Sequence, residues 1–210
     1  MAAEDFRPES IASTAFFTGH RHLPPDKRDS VAASLGRAID EAYKNGYRRF
    51  MCGGALGFDT IAALQVLDSR KEHPDIKLIL AIPCLDQAKR WSDHDRGIYD
   101  MISAQANEKI VLSPEYYQGC MQTRNRYMVD HSSLCICYLY SLHGGTAYTV
   151  RYAVSRDIPV INLAMEDSRP ESMLREDQCC CMFTSRSAKE NAGIAHLYHT
   201  KRANLRQKDT

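Results

Sequence analysis

Three short glycine-containing stretches carry the residue types from which a binding crevice is built: Gly19-His20-Arg21, Gly53-Gly54-Ala55-Leu56-Gly57-Phe58-Asp59 and Gly144-Gly145-Thr146. Glycine lets the main chain approach a bound molecule closely and adopt positive φ. Where such a turn opens a helix, the first amides have no partner within the helix and suit an anion such as phosphate. Thr146 adds a hydroxyl, and Arg21 a guanidinium that can hold phosphate through two parallel hydrogen bonds. His20 is a candidate acid or base, although a histidine in a turn is more often simply polar. Asp59 has two readings: a carboxylate that accepts from a ribose hydroxyl or a base, or an acidic residue matched to the start of its helix. Arg124, beside Asn125, either faces the same crevice or is an ordinary surface arginine. Tyr116 and Tyr117 are candidates for stacking on a base. Taken alone, each glycine turn is an ordinary strand-to-helix connection. Three of them on one sheet edge favour a ligand site.

The elements that must position these residues alternate along the chain. Residues 14–18 read as a strand, and Pro24-Pro25-Asp26 opens a helix with Val31, Leu35, Ala38, Ile39, Ala42 and Tyr43 along one face, stopped by Asn45-Gly46. A second strand over 47–52 runs into Gly53-Gly54, and a helix follows over about 58–72 with Pro74 closing it. The third strand, 77–82, is almost wholly apolar, as a strand covered on both faces should be. A helix over about 86–104 is expected to turn Trp91, Ile98, Met101 and Ile102 inward. Strand 109–112, a helix over about 120–131, strand 134–140, a helix to about 156 and strand 159–164 complete the series. Alternation of this kind predicts an α/β, Rossmann-like parallel sheet of about six strands with helices on both faces, joined by right-handed crossovers. In such a sheet, ligands bind outside the carboxyl ends of the strands. All three glycine stretches fall there.

Composition narrows the class. The 210 residues are 44% hydrophobic and 25% charged, ordinary values for one globular domain. A formal net charge of +1 gives no bulk attraction to nucleic acid or to a membrane. The N-terminal residues hold Glu4, Asp5 and Arg7 and no apolar run, so no secretory signal is expected. No apolar run approaches the roughly 20 residues of a membrane span. The eight cysteines then read as reduced thiols of a cytoplasmic protein, and Cys179-Cys180-Cys181 lacks metal-site spacing, so no metal is expected. The organisation expected is an N-terminal extension over 1–13, the α/β domain over 14–164 and a C-terminal tail over 165–210. The last ten residues carry four basic groups and one acidic group.

With these residues in hand, the chain resembles the YpsA-type branch of the SLOG superfamily, the Rossmann-like group that also holds the Lonely Guy phosphoribohydrolases and the DNA-processing protein DprA. The resemblance is carried by Phe16-Phe17-Thr18-Gly19-His20-Arg21, by Cys52-Gly53-Gly54-Ala55 with Gly57, Asp59 and Ala62-Ala63, and by Pro83, Gln87 and Trp91. It continues through Tyr117, Gly119, Met121, Arg124-Asn125 and Tyr127-Met128-Val129-Asp130 to Gly144-Gly145-Thr146 and Tyr152-Ala153, in order over about 14–164. It implies a cytoplasmic, bacterial-type protein that binds or senses a nucleotide or nucleotide-derived ligand, with no cofactor required. The implied ligand-binding set is Gly19, His20, Arg21, Gly53, Gly54, Ala55, Gly57, Asp59, Arg124, Asn125, Gly144, Gly145 and Thr146. Relatives commonly self-associate through sheet-flanking helices, which leaves a homo-oligomer open.

Two alternatives follow from the same relatives. In a Lonely Guy-type hydrolase of N-glycosidic bonds, Asp59 and Arg124 are the catalytic candidates. The stretch from Thr146 to Arg151, Thr-Ala-Tyr-Thr-Val-Arg, lacks the glutamate those enzymes carry after the Gly-Gly motif. In a DprA-like protein, Gly57-Phe58-Asp59 and the basic terminus point to single-stranded DNA. Such binding normally needs a positively charged groove, and the near-neutral charge disfavours it.

Overall fold

A computed structural model describes residues 8–165. The Cys179–Cys181 run and the tail expected beyond Met165 lie outside the described residues, as do the first seven residues of the extension. A one-turn helix, α1 (Pro8–Ala12), leads into β1 (Thr14–Gly19). After a 3-10 turn at Pro25–Lys27 come α2 (Arg28–Lys44), β2 (Arg49–Cys52), α3 (Phe58–Ser69) and β3 (Lys77–Ile82). Then follow α4 (Asp93–Gln105), β4 (Glu108–Val111), α5 (Cys120–Asp130), β5 (Leu134–Tyr138), α6 (Gly144–Ser155) and β6 (Val160–Asn162).

The six strands form one all-parallel sheet in the order β4-β3-β2-β1-β5-β6. Side chains alternate along each strand, and this alternation divides the core in two. Phe17, Phe50, Cys52, Leu78, Leu80, Ile136 and Tyr138 face one side, packed with Val31, Leu35 and Ile39 of α2, Phe58, Ala62 and Val66 of α3, and Ile102 of α4. Phe16, Met51, Ile79, Ala81, Cys135 and Cys137 face the other, against Met128 and Val129 of α5 and Ala147, Val150 and Ala153 of α6. Helices therefore cover both faces, and the expected α/β, Rossmann-like class holds.

The largest departure from expectation is at α4. The helix expected from residue 86 begins only at Asp93, because Ser92 is its N-cap and accepts from the Asp95 amide at 3.1 Å. Residues before it turn instead. Trp91 thus lies outside the helix, half-buried with its ring edge-on to Tyr99 at 5.5 Å between centroids. Met101, expected on the inner face, is 42% exposed. The strand expected over 134–140 ends at Tyr138. Beyond it the ladder is replaced by a side chain: Asn162 accepts from the Leu139 amide and donates to the Leu139 carbonyl, both at 2.9 Å. Five cysteines, Cys52, Cys84, Cys120, Cys135 and Cys137, are buried free thiols. Among the described residues, no helix is long and apolar enough to cross a membrane, and no group of three or more His, Cys, Asp or Glu side chains is placed to hold a metal ion.

Candidate functional site at the β1–β5 junction

Strand order sets where a ligand can enter. From β1 the chain builds outward through β2 and β3 to β4, then crosses back to lay β5 on the other side of β1. The connection leaving β1 goes to one face and the connection leaving β5 to the other, since α2 and α6 cover opposite faces. In open α/β sheets such a divergence marks the topological switch point, where ligands bind outside the strand carboxyl ends. Gly19 pairs in register with Tyr138 at this edge. The three glycine stretches follow β1, β2 and β5, which are neighbours.

Two of these turns are zipped directly to each other. A β-carbon on Gly19 would lie 2.3 Å from the Phe58 ring, and one on Gly57 would lie 2.0 Å from the Arg21 carbonyl oxygen. Gly57 also has φ of +81°, the left-handed region that glycine tolerates. The Phe58 amide donates to the His20 carbonyl at 3.3 Å. Packing within the protein therefore requires both glycines, and the exit from β1 is laid against the first turn of α3. The Arg21 side chain is exposed.

The third turn is joined through side chains. Arg124, only 7% exposed, donates from Nη1 to the Gly53 carbonyl at 2.6 Å and from Nε to Asn125 Oδ1 at 2.8 Å. Asn125 Nδ2 donates to Thr149 Oγ1 at 2.7 Å, and that hydroxyl donates to the Gly145 carbonyl at 2.8 Å. A continuous relay thus ties the turn after β2 to the first turn of α6. Arg124 is consequently not a surface arginine. Asp59, 6% exposed, does not cap its helix: the N-cap is Gly57, and Asp59 Oδ2 reaches back to accept from the Ala55 amide at 3.3 Å. Arg124 Nη1 is 3.9 Å from the same oxygen. Burial raises the Asp59 carboxyl above its ordinary range, against the pull of Arg124 and of the Ala55 and Gly53 amides.

What remains open lies at the start of α6, while Gly54 is covered. Gly144 has φ of +88°, and a β-carbon on Gly144 or Gly145 would meet nothing within 4 Å. His143, the N-cap of α6, makes no side-chain cap hydrogen bond. Thr146 is buried behind them. Gly54, with φ of +59°, gives its carbonyl to Gln87 Nε2 at 3.3 Å beneath the Tyr99 ring. His20 is held by a 3.3 Å bond from the Ser141 amide to Nε2 and by the Tyr140 ring, 4.0 Å away between centroids. Burial lowers its pKa.

The expected residues therefore gather along the carboxyl edge of β2, β1 and β5. Tyr116 and Tyr117 do not join them: they follow β4, the outermost strand, and Tyr117 donates its hydroxyl to Thr123 at 2.8 Å. Sequence reasoning missed Thr149, Tyr140 and Asn162. Thr149 carried a weak signal, a threonine four residues after Gly145, where its hydroxyl can bond back to the preceding turn. Tyr140 carried none beyond its place two residues after a strand.

Comparisons with known proteins bear on the fold and the family. The chain is 34% identical over 138 residues to the SPβ prophage-derived protein YoqJ of Bacillus subtilis, covering 60% of this chain and 79% of that one. It is 27% identical over 131 residues to YpsA of the same organism, covering 59% and 73%. Among solved structures, DNA processing protein A of Helicobacter pylori shares the fold, with a TM-score of 0.50 and 23% identity. That match covers 72% of this chain and 65% of the other, less than two-thirds of its length. The YspA SLOG family model, designated YpsA, matches residues 25–158, from the 3-10 turn before α2 to the edge of β6, and the chain belongs to that family.

Proposed function

We propose that the chain binds a nucleotide or nucleotide-derived ligand in the crevice at the β1–β5 junction. The observation that carries this reading is the start of α6. Gly144 and Gly145 present an uncapped, unobstructed helix N-terminus at the switch point of a doubly wound sheet. Unpaired amides and the helix dipole favour an anion there, and a phosphate is the anion a nucleotide brings. Exposed Arg21, on the neighbouring turn, supplies a guanidinium for the same group. Arg124 and Asp59 act in this reading as the buried frame that fixes the distance between the turns, since Arg124 Nη1 and Nε are engaged with Gly53 and Asn125 and Asp59 Oδ2 with Ala55. No cofactor is needed for such binding.

The test is calorimetry of the full chain, freed of carried-over ligand, against nucleoside mono- and diphosphates, ADP-ribose and cyclic dinucleotides. Saturable binding of at least one compound, weakened in Arg21→Ala, is the expected result. Silence across the panel from folded protein rejects the reading. Chromatography of the same mixtures for released base separates binding from N-glycosidic cleavage. The Helicobacter protein is described as binding single-stranded DNA. An oligonucleotide arm whose affinity falls steeply with salt would shift the reading toward nucleic acid here.

A further inference from the structure

We infer that the exposed ring of Tyr140, backed by His20, is the platform on which the planar base of the nucleotide stacks. This rests on the nucleotide reading above and names the subsite that distinguishes a nucleotide from a bare sugar phosphate.

Tyr140 leaves β5 at the switch point and reaches across it. Its hydroxyl donates to the His22 carbonyl, beyond the end of β1, at 2.9 Å. One neighbour is the His20 ring, at 4.0 Å between centroids and tilted by 46°; another is Tyr138, edge-on at 5.8 Å. The preceding residue, Leu139, is clamped through both its amide and its carbonyl by Asn162. His20 is itself fixed by the Ser141 amide. The ring is thus restrained at its hydroxyl, along one side and at its backbone.

Despite these restraints, Tyr140 remains 54% exposed. Those contacts order the ring at a cost in rotamer freedom that folding has already met. A ring already ordered suits stacking, because the immobilisation cost of binding is met in advance. Every nucleobase offers a π-face, so such a platform accepts purines and pyrimidines alike.

The other aromatic groups fit this role less well. Tyr116 and Tyr117 follow β4, three strand spacings from β1, or about 14 Å at the usual separation. Trp91 and Tyr99 are half-buried against each other near Gly54. Tyr140 alone among these spans the β1–β5 junction.

The experiment is isothermal titration of the full chain, Tyr140→Ala and Tyr140→Phe with the four ribonucleoside monophosphates, ADP-ribose and ribose 5-phosphate. In the unmodified chain, at least one nucleotide should bind on the order of tenfold more tightly than ribose 5-phosphate, the scale of one base–aromatic stack. Tyr140→Ala should close that gap while leaving ribose 5-phosphate affinity within about twofold. Tyr140→Phe, which keeps the ring and loses the hydroxyl, should preserve it. A gap that survives in Tyr140→Ala overturns the platform and leaves the nucleotide reading standing. Equal affinity for both kinds of probe in the unmodified chain does the same. An equal loss for both probes in Tyr140→Ala marks general disruption and also overturns it. Absence of binding to every compound rejects the parent reading, and the platform with it.

Discussion

Arg124 and Gly53 occupy each other's space: the guanidinium donates to the Gly53 carbonyl at 2.6 Å, and Nη1 stands 1.6 Å from where a β-carbon on Gly53 would sit. The glycine here is required by a buried side chain of the same protein, from a helix 71 residues further along. Through Asn125 and Thr149 that contact continues to Gly145. Two turns that look independent in sequence are one mechanical unit.

Arg124→Ala should therefore destabilise the fold. It strands the Gly53 carbonyl and leaves the Asp59 carboxylate without its nearest cation. The expected cost is about 3 kcal/mol, the low end for removing one member of a buried pair, because the two ions are separated by 3.9 Å. Gly53→Ala should cost a similar amount by expelling the guanidinium. In the double variant the second substitution has little left to disrupt, so the costs should fall well short of additive. Urea denaturation of the four proteins measures this, and simple additivity would break the proposed unit.

The glycines fall into two classes with opposite expectations. Gly57→Ala meets the Arg21 carbonyl at 2.0 Å and forces an alanine to φ of +81°. A loss of about 1–3 kcal/mol is expected from the backbone strain alone. Gly145→Ala meets nothing within 4 Å, and its stability should change by no more than about 0.5 kcal/mol. If phosphate docks on the α6 amides, Gly145→Ala should nonetheless weaken phosphate binding, because the new methyl group stands at the approach. Thermal melts with and without phosphate separate the two effects. A Gly145→Ala protein with normal phosphate affinity removes this turn from the site.

Asp59 should leave a mark on the pH dependence of stability. Burial raises its carboxyl above the ordinary value, so the folded state binds a proton at higher pH than the unfolded chain does. Between the unfolded value, about 3.9, and the raised folded one, the folded state holds more protons. Stability attributable to this group therefore increases as pH falls through the folded pKa. Relative to Asp59→Asn, the unmodified chain should gain stability on going from pH 7 toward pH 4, measured by urea unfolding at each pH. Parallel curves for the two proteins would show that Asp59 is not held in a desolvated site.

The sheet and its helices were legible because their signals are local and periodic. The apolar run of β3 and the 3.6-residue stripe of α2 need no tertiary information. Placing the glycine turns on one edge followed from strand alternation alone. What stayed hidden depends on long-range contact. The burial of Arg124 is decided by the Gly53 carbonyl, the reach of Asp59 back to Ala55 by the absence of a capping side chain at Gly57, and the clamp on Leu139 by Asn162 on another strand. The late start of α4 was different: Ser92 and Asp95 spelled out the cap, and the apolar spacing of Trp91 and Ile98 masked it.

His20 offers the sharpest check on the junction itself. Its ring is partly buried against Tyr140, and desolvation lowers its pKa from the ordinary 6.5. The Ser141 amide donates to Nε2, which needs a lone pair on that nitrogen and so keeps the proton on Nδ1. Protonating Nε2 would set one donor against another, and this opposes the cation in the same direction as burial. Between 6.5 and the lower folded value the unfolded chain binds more protons, so the contribution of His20 to stability falls as pH drops through that window. The histidine ring resonances, followed by NMR, should show His20 titrating below 6.5 with Nδ1 protonated at neutral pH. His20→Gln should flatten the acid-side loss of stability. A proton found on Nε2 would mean that the Ser141 contact does not form, and a midpoint at or above 6.5 would mean that the His20 ring is not desolvated at the junction.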